Sequence, residues 1–185
     1  PGDMLSREQV VASDASSSLV QRDSLSASAE KVVRSPAAEG VSRRIDIDMQ
    51  ALAARGVVTP DSARSRLGDE IRVIKRPLLK NVSAKAANAN ARTNLIMVTS
   101  SVPGEGKTFV SCNLAMSLAM ELDTTVLLVD ADVSRASVLN RLGLMPSQGL
   151  LDVLTNPSLP LSSVMLRTNV DKLSILPAGT PNGRA

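Results

Sequence analysis

The chain of 185 residues has no tryptophan, no tyrosine and no histidine, and its single aromatic residue is Phe109. It therefore offers no aromatic platforms for stacking bases. Its formal net charge of +3, spread along the sequence, is too small to mark a nucleic-acid surface. With no imidazole to activate a thiol, the lone Cys112 reads as a small packing residue and not as a nucleophile. One cysteine also excludes an intrachain disulfide and fits a reducing compartment. No stretch approaches the ~18 consecutive apolar residues of a membrane span. The opening "PGDMLSREQVVASD" holds no hydrophobic signal core. The expected location is the cytoplasm, with any membrane attachment supplied by a partner.

What is present is an aliphatic core: 43% of the residues are apolar, nearly all Leu, Val, Ala, Ile and Met, which suits a buried parallel sheet. Residues 1–43 are rich in Ser and Ala and poor in large apolar side chains, so they read as a disordered leader. Residues 44–93 read as a helical segment and linker. "RIDIDMQALAARG" has the composition of a short helix ended by Gly56, and "TPDS" is a helix start with Thr59 as N-cap and Pro60 first. Leu67, Ile71, Ile74 and Leu78 then form one apolar stripe, with Arg66, Asp69, Arg72, Lys75 and Arg76 on the opposite face. Pro77 should end or kink that helix. "NVSAKAANANART" has the small, polar composition of a linker.

From Asn94 the pattern alternates. "LIMVTS" and "TVLLVD" read as buried strands and "LSILPAG" as a third, with helices expected at "KTFVSCNLAMSLAMEL", "SVLNRLG" and "GLLDVLT". Strands alternating with helices predict an α/β fold with a mostly parallel sheet. Met116 and Met120, at helical spacing, are expected as core filler.

The stretch "SSVPGEGKTF" has the order strand, glycine loop, Gly-Lys-Thr and helix that a phosphate cradle requires. Backbone amides and the positive helix end make an anion site, while Gly104 and Gly106 let the backbone approach phosphate oxygens. Lys107 would reach the terminal phosphates of a nucleotide, and the Thr108 hydroxyl would ligate Mg²⁺. The general P-loop pattern wants glycine where Ser101 stands; the plain alternative is a turn that merely caps a helix. A second element follows at "VDADVSR". Asp130 and Asp132, two apart at a strand end, could hold Mg²⁺ directly or through water, or accept a proton; alternatively they are an ordinary solvated strand end. Arg135 could steady phosphate or form a surface ion pair.

Together "RVIKRPLLKN", "RTNLIMVTSSVPGEGKTFVSCNLAMSLAMELDTTVLLVDADVSRASVLNRLGL", "GLLDVLTNPSL" and "LSILPAGTPN" resemble the cytoplasmic domain of CpsD/CapB-like bacterial tyrosine kinases, over about residues 44–185. Those associated with exosortase (XrtA-type) polysaccharide loci are the nearest in pattern. The resemblance implies a P-loop NTPase fold of the MinD/ParA-like superfamily, with residues 94–185 as the first part of the kinase domain. It implies an ATP- and Mg²⁺-dependent protein-tyrosine autokinase that regulates exopolysaccharide or capsule synthesis and export. Pro103, Gly104, Glu105, Gly106, Lys107, Thr108 and Phe109 then bind nucleotide, Lys107, Asp130 and Asp132 are catalytic, and Thr108, Asp130 and Asp132 hold the metal.

The resemblance further implies a polysaccharide copolymerase-type membrane activator that holds the protein at the inner face of the plasma membrane. It also implies a homo-oligomer whose contact helix carries Asp69, Arg72 and Lys75, a weakened form of the family's Glu-x-x-Arg-x-x-Arg pattern, since lysine lacks the guanidinium fork. The superfamily's signature lysine is replaced by Val102, as in the tyrosine kinases, and Ala136 stands where relatives usually have proline. Neither a third aspartate-bearing strand nor a tyrosine tail is present, so the sequence reads as a fragment, stopping before Walker B and inactive on its own. Two other readings stand beside the kinase: a MinD/ParA-like ATPase that switches dimerisation, and a non-catalytic nucleotide-binding assembly module.

Overall fold

A computed structural model describes residues 42–83 and 94–180. The expected leader, apart from Ser42 and Arg43, and linker residues 84–93 lie outside the described residues.

The first described element is not helical. Strand β1, Arg43–Ile45, is followed by helix α1, Met49–Ala54. Asp48 separates them: its carboxylate accepts the amides of Gln50 and Ala51 at 2.9 and 3.0 Å, an N-cap that starts the helix only there. Gly56, at φ +73°, ends it. Thr59 and Pro60 open a single 3-10 turn, Pro60–Ser62, and the long helix α2 begins only at Arg66 and runs to Ser83.

Helix α2 passes through Pro77 without ending. Proline removes the amide that would bond to the Val73 carbonyl, but both residues lie on the exposed face, where water can take the freed acceptor. The buried stripe also differs from the expected one. Gly68, Ile71 and Lys75 are buried, whereas Ile74 is exposed. Lys75 corrects the reading of an outward charged face: its ammonium turns inward and donates to the Ser117 carbonyl on the neighbouring helix at 3.0 Å. Asp69 and Arg72 remain outside, paired with each other at 2.6 Å.

Helix α3, Lys107–Ala119, forms the centre of the domain. Every residue from Cys112 to Ala119 is buried, so the helix is covered on all sides and shows no polar face. Of its two buried polar residues, Asn113 and Ser117, the asparagine is fully satisfied. It accepts the Val58 amide at 2.7 Å and donates to the carbonyls of Phe109 and Gly56, tying the chain after α1 to the helix. Met116 is buried as expected, and Met120 is partly covered.

The remaining elements are β2, Val126–Val129; α4, Val138–Arg141; α5, Leu150–Thr155; α6, Leu161–Val164; β3, Leu166–Thr168; and β4, Leu173–Leu176. The fold is α/β, with a four-stranded sheet in the order β1-β3-β4-β2. Two of its pairings are parallel, β1 with β3 and β2 with β4, and β3 with β4 is antiparallel. The apolar run of β2 predicts a buried strand, but it is an edge strand among the described residues, with Leu127 and Val129 exposed. "LIMVTS", expected as the strand feeding the glycine loop, is extended chain outside the sheet, with Leu95 72% and Met97 83% exposed. It has strand chemistry without a ladder partner among the described residues, and β-branched composition alone does not make a strand.

The core is continuous across these elements: Ile47, Leu52, Val57, Cys112, Met116, Leu128, Leu142, Leu166 and Ile175 pack together. Among the described residues no helix is long and apolar enough to cross a membrane.

Candidate functional site

The glycine loop takes the conformation its residues permit. Gly104 and Gly106 lie at φ +87° and +94°, where a side chain would be strained, and a Cβ on either would meet nothing within 4 Å. Both therefore face open space. Gly106 caps α3, and its own carbonyl receives the Val110 amide at 2.9 Å. The amides of Gly104, Gly106, Lys107, Thr108 and Phe109 have no acceptor among the described residues, which leaves a row of donors at the positive end of a 13-residue buried helix.

The open space is a cavity of about 660 Å³, a volume that suits a small-molecule ligand. Pro103, Gly104, Gly106, Lys107, Thr108 and Phe109 line one side, and Asp132, Ser134, Arg135, Ser137, Asn140 and Arg141 the other. The lining holds three cationic side chains, Lys107, Arg135 and Arg141, and one carboxylate, Asp132, so it favours an anion. The Lys107 ammonium donates to the Ser100 hydroxyl at 3.0 Å. Arg141 stacks over the Phe109 ring at 4.9 Å, and its Nε has no hydrogen-bond partner among the described residues.

Not every expected residue faces this cavity. Glu105 folds back along the loop, its carboxylate accepting the amides of Ser101 and Val102 at 2.9 and 3.3 Å. That contact holds the start of the loop in place of the glycine that the general pattern has at Ser101. Asp130 is buried and outside the lining. One of its oxygens accepts the Asp132 amide at 3.2 Å, and the other accepts the amides of Ser137 and Val138 at 3.1 and 3.0 Å. The carboxylate thus caps α4 and closes the loop over residues 131–137. Asp132 stands exposed at the cavity, with one oxygen on the Arg135 amide at 3.0 Å.

Burial pushes the Cys112 thiol up to about 12, with Arg141 opposing and Asp130 adding, so it stays protonated and unreactive.

Sequence reasoning missed Ser137. Its hydroxyl lies 2.6 Å from that of Thr108, 29 positions earlier. A serine before the apolar "VLNRL" signals an N-cap, but nothing local pairs it with Thr108, and its hydroxyl makes no cap bond to α4.

An Mg²⁺–nucleotide fits these residues. The orphan amides and cationic lining suit phosphate, and among the described residues no group of three Asp, Glu, Cys or His could form a protein-only metal cage. A magnesium ion would draw its other ligands from phosphate and water, as it commonly does.

No protein-family model matches the chain. It is 38% identical over 93 residues to Tyrosine-protein kinase ptk of Acinetobacter johnsonii, a match covering 50% of this chain and 12% of that protein. It is 48% identical over 60 residues to Antiactivator FleN of Pseudomonas aeruginosa, covering 32% of this chain and 21% of that one. In fold it is similar to the crystal structure of the chimerical protein CapA2B2, with a TM-score of 0.50 and 21% identity over 75% of this chain and 55% of the other. The chain is similar to bacterial tyrosine kinases over part of its length, and the matches span 12% of the Acinetobacter kinase, 21% of FleN and 55% of the CapA2B2 chain.

Proposed function

We propose that the chain is the nucleotide-binding part of an ATP-dependent protein-tyrosine autokinase that regulates exopolysaccharide or capsule biosynthesis and export. The observation that carries this reading is the row of amides at Gly104 and Gly106–Phe109, without acceptors among the described residues, opening onto a cation-lined cavity. The similarity to a tyrosine-protein kinase through the same region supports it.

In this reading the loop amides bind the phosphates, and Lys107 leaves Ser100 to neutralise charge on the terminal groups. Arg135 and Arg141 close the other side. Thr108 and Asp132 would hold Mg²⁺, which when bound screens phosphate charge and favours in-line transfer. Asp130 keeps the Asp132 loop in place through its three amide bonds. The acceptor tyrosine lies outside these 185 residues, which contain none. A copolymerase-type membrane activator and a homo-oligomer complete the proposal. Since Lys75 is buried, the subunit contact on α2 would use Asp69 and Arg72.

A second reading, a MinD/ParA-like ATPase that switches dimerisation, is favoured by the 48% identity to Antiactivator FleN. The third, a non-catalytic assembly module, needs only the cradle. One experiment separates them: radiolabelled ATP with wild type and Lys107→Met in the full-length protein, with a tyrosine-rich acceptor peptide present. Label on tyrosine that is lost in the variant supports the kinase. Phosphate release without label supports the ATPase, and binding without turnover supports the module. No ATP binding at all overturns all three.

A further inference from the structure

The Thr108 hydroxyl has one side-chain partner among the described residues, Ser137 at 2.6 Å, and that partner is not free to move. The Ser137 amide is held at 3.1 Å by Asp130, and the next amide, Val138, is held by the same oxygen at 3.0 Å. Asp130 is itself buried and fixed by the ladder, since its amide bonds to the Leu176 carbonyl at 2.9 Å. A rigid path therefore runs from the end of β2 through Asp130 and Ser137 to Thr108.

Resting on the nucleotide reading above, we propose that Ser137 is a positioning residue for the metal-binding hydroxyl. A hydroxyl has one proton and two lone pairs. To give a lone pair to a cation, Thr108 must aim its proton elsewhere, and Ser137 Oγ is the acceptor in reach. Ser137 thereby fixes the Thr108 rotor with its lone pair toward the cavity that both residues line. Asp130 acts on the metal site at one remove, by setting Ser137.

The test measures ATP affinity by calorimetry, in Mg²⁺ and in EDTA, for wild type, Ser137→Ala, Ser137→Thr, Thr108→Val and the Ser137→Ala/Thr108→Val double variant, with thermal unfolding to confirm folding. Ser137→Ala is expected to lose about tenfold in the Mg²⁺-dependent gain, the scale of one hydrogen bond, and little in EDTA. Ser137→Thr restores the gain, and the double variant is no worse than Thr108→Val. Equal loss in Mg²⁺ and EDTA, an unchanged gain, or additive losses in the double variant would overturn the proposal while leaving the nucleotide site standing. Wild type that binds no ATP in either buffer overturns the nucleotide reading and this inference with it.

Discussion

Lys75 Nζ on α2 lies 2.5 Å from Glu121 Oε1, just beyond the end of α3, with the lysine side chain 9% exposed and the glutamate 41%. The two partners are therefore unequal in solvation, and the clasp between the helices should respond unequally to their loss. Lys75→Met replaces a desolvated cation with an apolar chain of similar length and frees a glutamate that water can reach, so it should cost within about 1 kcal/mol. Glu121→Gln keeps an amide oxygen as acceptor but removes the negative charge opposite a buried ammonium, and should cost about 2–3 kcal/mol. Urea unfolding of both variants checks the order.

Asp130 and Asp132 should separate in the same way. Asp130→Asn turns one of two acceptor oxygens into a donor facing backbone amides, and a loss of about 2 kcal/mol or more in stability is expected. Asp132→Asn keeps an oxygen for the Arg135 amide on an exposed side chain. Its stability should stay within about 0.5 kcal/mol, while Mg²⁺-dependent nucleotide affinity falls. Denaturation and binding curves on the two variants decide.

Gly106→Ala should split stability from binding. The position sits at φ +94° with no protein atom near the added methyl, so the conformational cost is about 1–2 kcal/mol. The methyl points into space that phosphate would occupy, and ATP affinity should drop by tenfold or more, as calorimetry would show. Equal affinity in folded Gly106→Ala would remove the loop from the nucleotide site.

The Cys112 thiol predicts a specific alkaline limb. Folded, it keeps its proton to about 12 because it is buried, with Asp130 adding to the shift and Arg141 opposing it, against an ordinary value of 9.0. Between those limits the unfolded chain loses the proton first, so stability falls as pH rises from about 9 toward 12, at up to about 1.4 kcal/mol per pH unit. Below that window this group contributes no pH dependence. Cys112→Ala should flatten the limb in stability curves measured against pH, and the native thiol should resist alkylation at pH 8.

The glycine loop and its helix were legible in the sequence because their causes are local. Gly104 and Gly106 permit positive φ, and Lys107–Ala119 has helix length and an apolar composition. The strand before the loop was read from composition as well, and there the reading failed. Leu95–Ser100 can form a strand only with a ladder partner, and pairing is a property of the whole sheet. Arg43–Ile45 shows the reverse case: three residues with little strand signal are paired because β3 lies alongside them.

By itself the sequence determined the conformations that single residues impose and the chemical groups gathered at the loop and at the end of β2. Only the tertiary structure decided which groups meet. Packing turned Lys75 inward, buried Asp130 as a cap for α4, and brought Ser137 to Thr108 across 29 positions. Backbone preferences act over a few residues and leave a mark in the local pattern, whereas hydrogen bonds between distant side chains depend on how the core closes, which no short stretch of sequence contains.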